Sequence, residues 1–281
     1  METFVFLAVL FAAACHAGWN ALIKVGLDPL STTTLISVGS GIVALAFSPF
    51  VGVPAWAAWP WLAASIVIHL VYFASLIESY RTGDLGQVYP IARGSAPLMT
   101  AAVTSIFVGE ILSALGWAGI AALVGGVLLL SARGARHLAE IDRRAIGFAL
   151  FTALTICAYS VVDGIGARLS ANPNGYSVWL FVGIAVVMVP YALYRDGRDV
   201  IPAMQRFWLR GFAGGALQVL SYGIAIWAMT VAPIAIVATL RETSVLFGAV
   251  IAVVVLKEPL RAVRIVAACL IVCGLVLIRV Q

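Results

Sequence analysis

The chain has 281 residues, 63% of them hydrophobic and 10% charged, with a mean hydropathy of +1.08 and a formal net charge of +5. Soluble domains carry about 25% charged residues, so these figures exclude a water-soluble fold of this size, a disordered chain, a coiled coil and a disulfide scaffold. A membrane protein with many spans remains, and the few polar residues at lipid depth become the ones to explain.

A helix needs about 20 mainly apolar residues to cross a bilayer. Ten such helices are expected, at 3–23, 31–50, 57–79, 85–107, 112–131, 145–167, 176–194, 209–228, 233–255 and 261–279. Pro, Gly and charge mark the gaps at Asp28-Pro29, Pro49 to Pro54, Arg81 to Asp84, Gly109-Glu110, Arg133 to Arg144, Asn172 to Gly175, Arg195 to Arg206, Ala232-Pro233 and Lys257 to Pro259. The start, Met1-Glu2, lacks the basic region of a signal peptide, so the first helix is expected to be retained.

In helix 1, His16, Trp19 and Asn20 share one face near mid-membrane. On a lipid-facing surface they would be unsatisfied, so they are expected to face the interior. They form either a substrate wall, with Trp19 covering a cation, or, through Asn20, a helix–helix hydrogen bond. Helix 3 carries His69 and Tyr72, with Glu78 near its inner end. Each histidine is read as a packed hydrogen-bonding residue or as a proton relay.

Helix 4 places Arg93 about 12 Å deep at 1.5 Å per residue, too deep to snorkel easily. Tyr89 lies one turn before it on the same face, and Pro90 is expected either to break the helix there and free carbonyls for a cavity or to kink it gently for packing. Helix 6 offers Tyr159 and Asp163 on one face, Asp163 toward the outer end, and helix 8 offers Gln218 and Tyr222.

Helix 9 holds Arg241 and Glu242 in succession, pointing about 100° apart. Two readings stand for the deep arginines: a clamp on carboxylate, phosphate or phosphonate oxygens, or an ion pair with Glu242, Asp163 or Glu78. They can divide these jobs between them. A carboxylate in a dry cavity can take up a proton, which ranks Glu242, then Asp163 and Glu78, as proton-coupling candidates beside His69. Glu110 and Glu258 begin the fifth helix of each half and are expected to cap it. Trp56, Trp59, Trp61, Trp117 and Trp208 sit near span ends, where indoles anchor at the interface.

Cys15, Cys157, Cys269 and Cys273 lie in apolar runs and suggest neither disulfide nor metal site. No cofactor is implied, and the basic residues do not point to nucleic acid. They gather in alternate loops instead. Lys24, Arg81, Arg133, Arg136, Arg143, Arg144, Arg195, Arg198, Arg206, Arg210, Lys257, Arg261 and Arg264 fall on one side, and Arg168 and Arg279 on the other. The positive-inside rule then places both termini outside a bacterial-type cytoplasmic membrane.

The segment 88–130 lies on 236–278 without a gap, bringing Arg93 onto Arg241, Glu110 onto Glu258, Leu112 onto Leu260 and Gly126 onto Gly274. Five spans per copy reverse the second copy in the membrane. The expected fold is an all-α membrane protein of two inverted five-helix repeats, 1–140 and 141–281, with a site near the midplane between them. A single chain then suffices for a complete pathway, and a homodimer is compatible with it.

The stretches VGEILSALGWAGIAALVGGVLLL and LKEPLRAVRIVAACLIVCGLVLI, with a Gly-Glu or Lys-Glu step between the last two helices of each half, resemble the EamA type of the drug/metabolite transporter superfamily. The likeness covers almost the whole chain and implies a transporter of ten helices; members move amino acids, nucleotide sugars, cationic metabolites and drugs. GDLGQVYPIARGSAP is similar to a branch associated with phosphonate-utilisation genes. The Tyr89-Pro90 pair becomes Val237-Ala238 in the second half, so a site built there is asymmetric.

A phosphate-binding GxxxxGK[ST] loop is absent, which disfavours an ATP-driven pump, and neither HExxH nor GxSxG supports an integral-membrane enzyme. A channel would more often use a symmetric ring. The expected function is secondary transport by alternating access of a small zwitterion or anion, such as an amino acid or aminophosphonate, with proton coupling as one option. The alternative cargo is a cation such as a quaternary amine, held by Trp19, the tyrosines and Glu242.

Overall fold

The computed structural model describes residues 1–22, 28–82, 85–131, 143–254, 257 and 262–281. The described chain is helical throughout: α1 Thr3–Leu22, α2 Pro29–Val51, α3 Trp59–Thr82, α4 Leu85–Val103, α5 Ala114–Ser131, α6 Arg143–Leu169, α7 Pro173–Asp196, α8 Val200–Arg206, α9 Trp208–Val231, α10 Ile234–Arg241, α11 Ser244–Val254 and α12 Ala262–Val280. Among the described residues, 9 helical stretches are long and apolar enough to cross a membrane, and Ala114–Leu130 is a shorter apolar helix. Their outer faces carry large exposed hydrophobics such as Phe4, Leu7, Phe50 and Trp56, as lipid contact requires.

The helix starts follow local rules. Asp28 accepts from the Leu30 and Ser31 amides at 2.9 and 3.1 Å, with Pro29 as the first helical residue of α2. Asn172 caps α7 the same way through the Gly175 amide, and its Nδ2 donates to the Val51 carbonyl, fastening the end of α2 to the start of α7. At the opposite chain ends, Arg279 donates to the Met1 carbonyl at 3.1 Å, so both termini lie at one end of the bundle.

Packing is dominated by pairs of spans from the two halves: α5 on α12, α2 on α7 and α9, α3 on α6, α4 on α6, and α1 on α9 and α11. Small residues permit the closest approaches. A Cβ built on Gly215 would stand 2.4 Å from the backbone carbon of Gly39, and one on Gly274 would stand 2.7 Å from the Gly119 carbonyl oxygen. In lipid, where apolar burial gives no preference between helices, such backbone contact supplies the association.

Three features depart from the expected elements. The ninth span is not continuous: α10 ends at Arg241, and Glu242 and Thr243 make a tight turn before α11 begins. There the Glu242 amide reaches Thr239 O and the Thr243 amide Leu240 O, bonds of the tighter three-residue spacing. By contrast α4 runs through Pro90 without a break; neighbouring spans let a transmembrane helix tolerate proline. The loop between the seventh and eighth spans contains the short helix α8.

Candidate functional site

The turn at 242–243 leaves α10 as an eight-residue helix, every residue of it buried. Its C-terminal end therefore lies inside the protein, where the tighter bonds of the turn take up the Thr239 and Leu240 carbonyls. Both deep arginines gather there. From α4, Arg93 places Nε 2.9 Å from Glu242 Oε2. The two atoms form an ion pair without hydrogen-bond geometry. On its other side the guanidinium Nη2 lies 3.4 Å from His16 Nε2 of α1. Trp19 Nε1 lies 3.3 Å from His16 Nδ1 and crosses the imidazole edge-on; a neutral imidazole accepts at one nitrogen, so the tautomer sets whether Trp19 or Arg93 donates to it. So His16, Arg93 and Glu242 join three spans.

Arg241 is in a different situation. It is 9% exposed, and its side chain makes no hydrogen bond or ion pair with any described residue. Its Cζ lies 4.5 Å from the centre of the Tyr222 ring, a cation–π contact. The Tyr222 hydroxyl donates in a short bond to Asp163 Oδ2, and the Tyr176 hydroxyl donates to Asp163 Oδ1 at 3.0 Å. Asp163 is fully buried, and its two oxygens take these two hydroxyls rather than an arginine. Around them, His69 stacks on Tyr159 at 4.3 Å between centroids, while Tyr72 and Tyr222 meet Tyr159 edge-on. The His69 Nδ1 lies 2.9 Å from the Ser65 carbonyl one turn back.

Between these groups is a small cavity lined by Arg93, Thr100, Tyr159, Ser160, Arg241 and Glu242 among others. Its volume of about 10 Å³ has room for about one water. Ser160 Oγ, buried beside it, has no hydrogen-bond partner among the described residues.

The predicted residues thus divide. His16, Trp19, Arg93 and Glu242 form one cluster, and His69, Tyr72, Tyr159, Asp163, Tyr222 and Arg241 form the adjoining one. Gln218 lies elsewhere: its Oε1 accepts from Ser40 Oγ at 2.7 Å in the α2–α9 contact. Asn20 Nδ2 donates to the His16 carbonyl of its own helix at 2.8 Å. Glu78 is half-buried near the C-terminal end of α3. The Tyr89 side chain and Glu258 lie outside the described residues.

Glu110 caps a helix, but not its own. The α4 helix closes in a widened turn at Thr104–Val108 and reverses at Gly109, whose φ of 77° suits glycine. The fifth helix starts only at Ala114. Glu110 instead accepts from the Ile234 amide at 2.9 Å and is paired with Arg168 at 2.7 Å, capping α10 across the molecule. Arg168 also donates to the Met229 and Ala232 carbonyls at 2.9 and 3.2 Å.

Tyr176, Thr100 and Ser160 were not picked out by sequence reasoning. Tyr176 had a usable signal: the turn between α6 and α7 is short, so a residue early in α7 faces one late in α6. Thr100 and Ser160 are ordinary helix residues and gave none.

Residues 143–280 match the EamA-like transporter family. No curated protein matches the chain. A protein of solved crystal structure is similar over 98% of this chain and 95% of its own, with a TM-score of 0.74 and 15% identity, a likeness of fold.

Proposed function

This chain belongs to the EamA-like transporter family, membrane transporters of the drug/metabolite type, and on that premise we propose that it carries a small zwitterion or anion by alternating access, with Arg241 as the group that binds the acid. The observation that carries this is the state of Arg241: a guanidinium nearly sealed from solvent, without a hydrogen bond from any described residue, at the edge of a polar cavity. A buried charge without partners is costly, and a carboxylate, phosphate or phosphonate supplies the missing acceptors in bidentate form.

Arg93 has the other job, held by Glu242 and His16. The Arg93–Glu242 pair holds the junction through opposite charges, so it depends on Glu242 being ionised. A proton on Glu242, or a substrate ammonium drawn to it, releases Arg93 and loosens the junction of α1, α4 and α10. That gives a route for proton coupling through Glu242. The cavity is too small for a metabolite, so loading requires the surrounding spans to part. A purely cationic cargo is less well served, because it supplies no acceptor to Arg241 and Asp163 already accepts from Tyr176 and Tyr222.

The two-fold design of 1–140 and 141–281 is part of the same proposal. Exchanging the first five spans with the last five turns the α1–α9 contact into α3–α6, and the α4–α6 contact into α1–α11. That pairwise exchange supports inverted repeats rocking about a central site. In this scheme both termini lie outside a bacterial-type cytoplasmic membrane, a single chain forms the pathway, and periplasmic reactivity of a cysteine placed at Thr3 tests the orientation.

The function is tested in proteoliposomes with labelled alanine, 2-aminoethylphosphonate and choline, with and without a pH gradient. Saturable uptake of either zwitterion, lost in Arg241→Gln while the variant remains folded, is expected. Uptake of choline alone, or full zwitterion transport by Arg241→Gln, overturns the assignment. Unchanged pH-gradient coupling in Glu242→Gln removes Glu242 from proton transfer.

A further inference from the structure

The α10 helix runs between two breaks, Ala232-Pro233 before it and the Glu242–Thr243 turn behind it. Its last residue, Arg241, borders the central cavity, and its first, Ile234, is met by Glu110. Three residues after Glu110, Ser113 donates to Gln281 Oε1 at 2.9 Å, which places this contact at the end of the bundle that carries both termini.

Two layers stand there between the cavity and the outside. Ser160, Gly164 and Arg168 follow one another at one-turn spacing along α6, and Ile234 and Ala238 do so along α10, so each set shares a face. Ser160 and Ala238 line the cavity. One turn further out, Ile234 packs on Gly164, where an added Cβ would stand 2.4 Å from Ile234 Cδ1. One turn beyond that, Glu110 reaches both helices. It accepts from the Ile234 and Ala235 amides of α10 at 2.9 and 3.4 Å, and it pairs with Arg168 of α6 at 2.7 Å.

The ionic layer can part without dismantling its surroundings. Arg168 is anchored independently of Glu110, on the Met229 and Ala232 carbonyls at the end of α9. Glu110 follows the widened turn at Thr104–Val108, a geometry frequent at functional sites, and Gly109 with its φ of 77°. Around it Ile106, Phe107 and Ile111 are exposed, so the link between α4 and α5 is lightly packed. The Arg168 side chain is 33% exposed, against 7% for Arg93 in the sealed pair with Glu242. Water can therefore replace Glu110 at Arg168 at far less cost than at Arg93.

We propose that the outer end of α10 is the gate of the transport path on the side of the termini, with Glu110 as its latch; this rests on the transporter reading above. Closed, Glu110 ties α10 to α6 through Arg168. Open, Glu110 leaves Arg168, Ile234 lifts off Gly164, and Ser160 faces water.

The test needs no substrate. The full chain, with Cys15, Cys157, Cys269 and Cys273 replaced by alanine, carries Ser160→Cys in detergent. Its rate of reaction with a charged methanethiosulfonate follows the open fraction. Glu110→Gln is expected to raise that rate about threefold or more. Should Glu110→Gln fail to fold, Gly164→Ala, which displaces Ile234 and leaves the ion pair, should raise it likewise. Gly215→Ala, which loosens the distant α2–α9 contact, should not. A smaller rise in the latch variant overturns the proposal, as does an equal rise in Gly215→Ala, which would mark general loosening. Separately, Glu110→Cys with Arg168→Cys, bridged by a short bismethanethiosulfonate, should stop uptake of labelled alanine or 2-aminoethylphosphonate until dithiothreitol restores it. Uptake undiminished by the bridge makes the contact a static tie and refutes the gate. Absence of uptake in the unbridged parent counts against the transport reading alone, and the labelling rates then decide the gate.

Discussion

The Nε of Arg93 lies 2.9 Å from Oε2 of Glu242, buried in the protein at the turn that divides the ninth span. Arg93 comes from the first half and Glu242 from the second, so one contact joins the halves where α10 ends. Removing one partner leaves the other charged and buried, at a cost of roughly 3–5 kcal/mol. Arg93→Leu alone is therefore expected to lower the unfolding temperature in detergent strongly. Arg93→Leu combined with Glu242→Leu should recover most of that loss, since replacing both charges of a buried pair is often neutral. A double variant no more stable than the single one would show that the pair is not the coupling.

Arg241 should behave in the opposite way. No hydrogen bond from a described residue is lost on its removal, only the contact with the Tyr222 ring, worth about 0.5–2 kcal/mol. Arg241→Gln is expected to unfold close to the native temperature yet transport a zwitterion about 10–100-fold less well, the loss of a charge-assisted bond of about 1.5–3 kcal/mol. Arg241→Lys keeps the charge but not the fork and should fall between. Initial rates in proteoliposomes alongside thermal unfolding separate the two effects.

Asp163 is the acceptor for two buried hydroxyls, Tyr176 and Tyr222. Asp163→Ala strands both, and each buried donor left without an acceptor costs about 1–3 kcal/mol. Tyr176→Phe removes one donor cleanly and leaves the Tyr222 bond in place. The expected order of thermal stability is native, then Tyr176→Phe, then Asp163→Ala, and a reversed order would dismiss Asp163 as the organiser of the cluster.

Glu110 holds the N-terminal end of α10 through the Ile234 amide and the Arg168 guanidinium. Loss of a helix cap costs about 0.5–2 kcal/mol. Glu110→Ala is expected to lower stability by at least that much and to speed hydrogen exchange at the Ile234 and Ala235 amides. Glu110→Gln retains one acceptor oxygen and should lose less. Exchange mass spectrometry on α10 reads this directly.

The α2–α9 contact depends on hydrogen in place of a side chain. Gly215→Ala puts a methyl 2.4 Å from the Gly39 backbone, so the helices must separate, at about 1–3 kcal/mol for overpacking. Gly125, where an added Cβ meets nothing within 4 Å, is the control; Gly125→Ala should leave the unfolding temperature unchanged or slightly raised.

The sequence by itself determined the spans. Hydropathy sets where a chain crosses lipid, because each span satisfies its own backbone bonds, and nine such stretches with the shorter Ala114–Leu130 fall where the apolar runs lie. The exceptional residues were legible for the same reason: Arg93, Arg241, Glu242 and Asp163 stand out against an apolar background and do lie buried. What only the tertiary structure decided is which charge meets which. Arg93 and Arg241 coincide when 88–130 is laid on 236–278, yet Glu242 pairs with the first while the second lies over Tyr222. Glu110 caps α10 rather than the helix it precedes. The ninth span breaks at Glu242 and not the fourth at Pro90. Each of these depends on how spans far apart in sequence stand side by side, and neighbours in lipid are chosen by close packing of small residues and by polar partners, neither of which is written in the periodicity of a single helix.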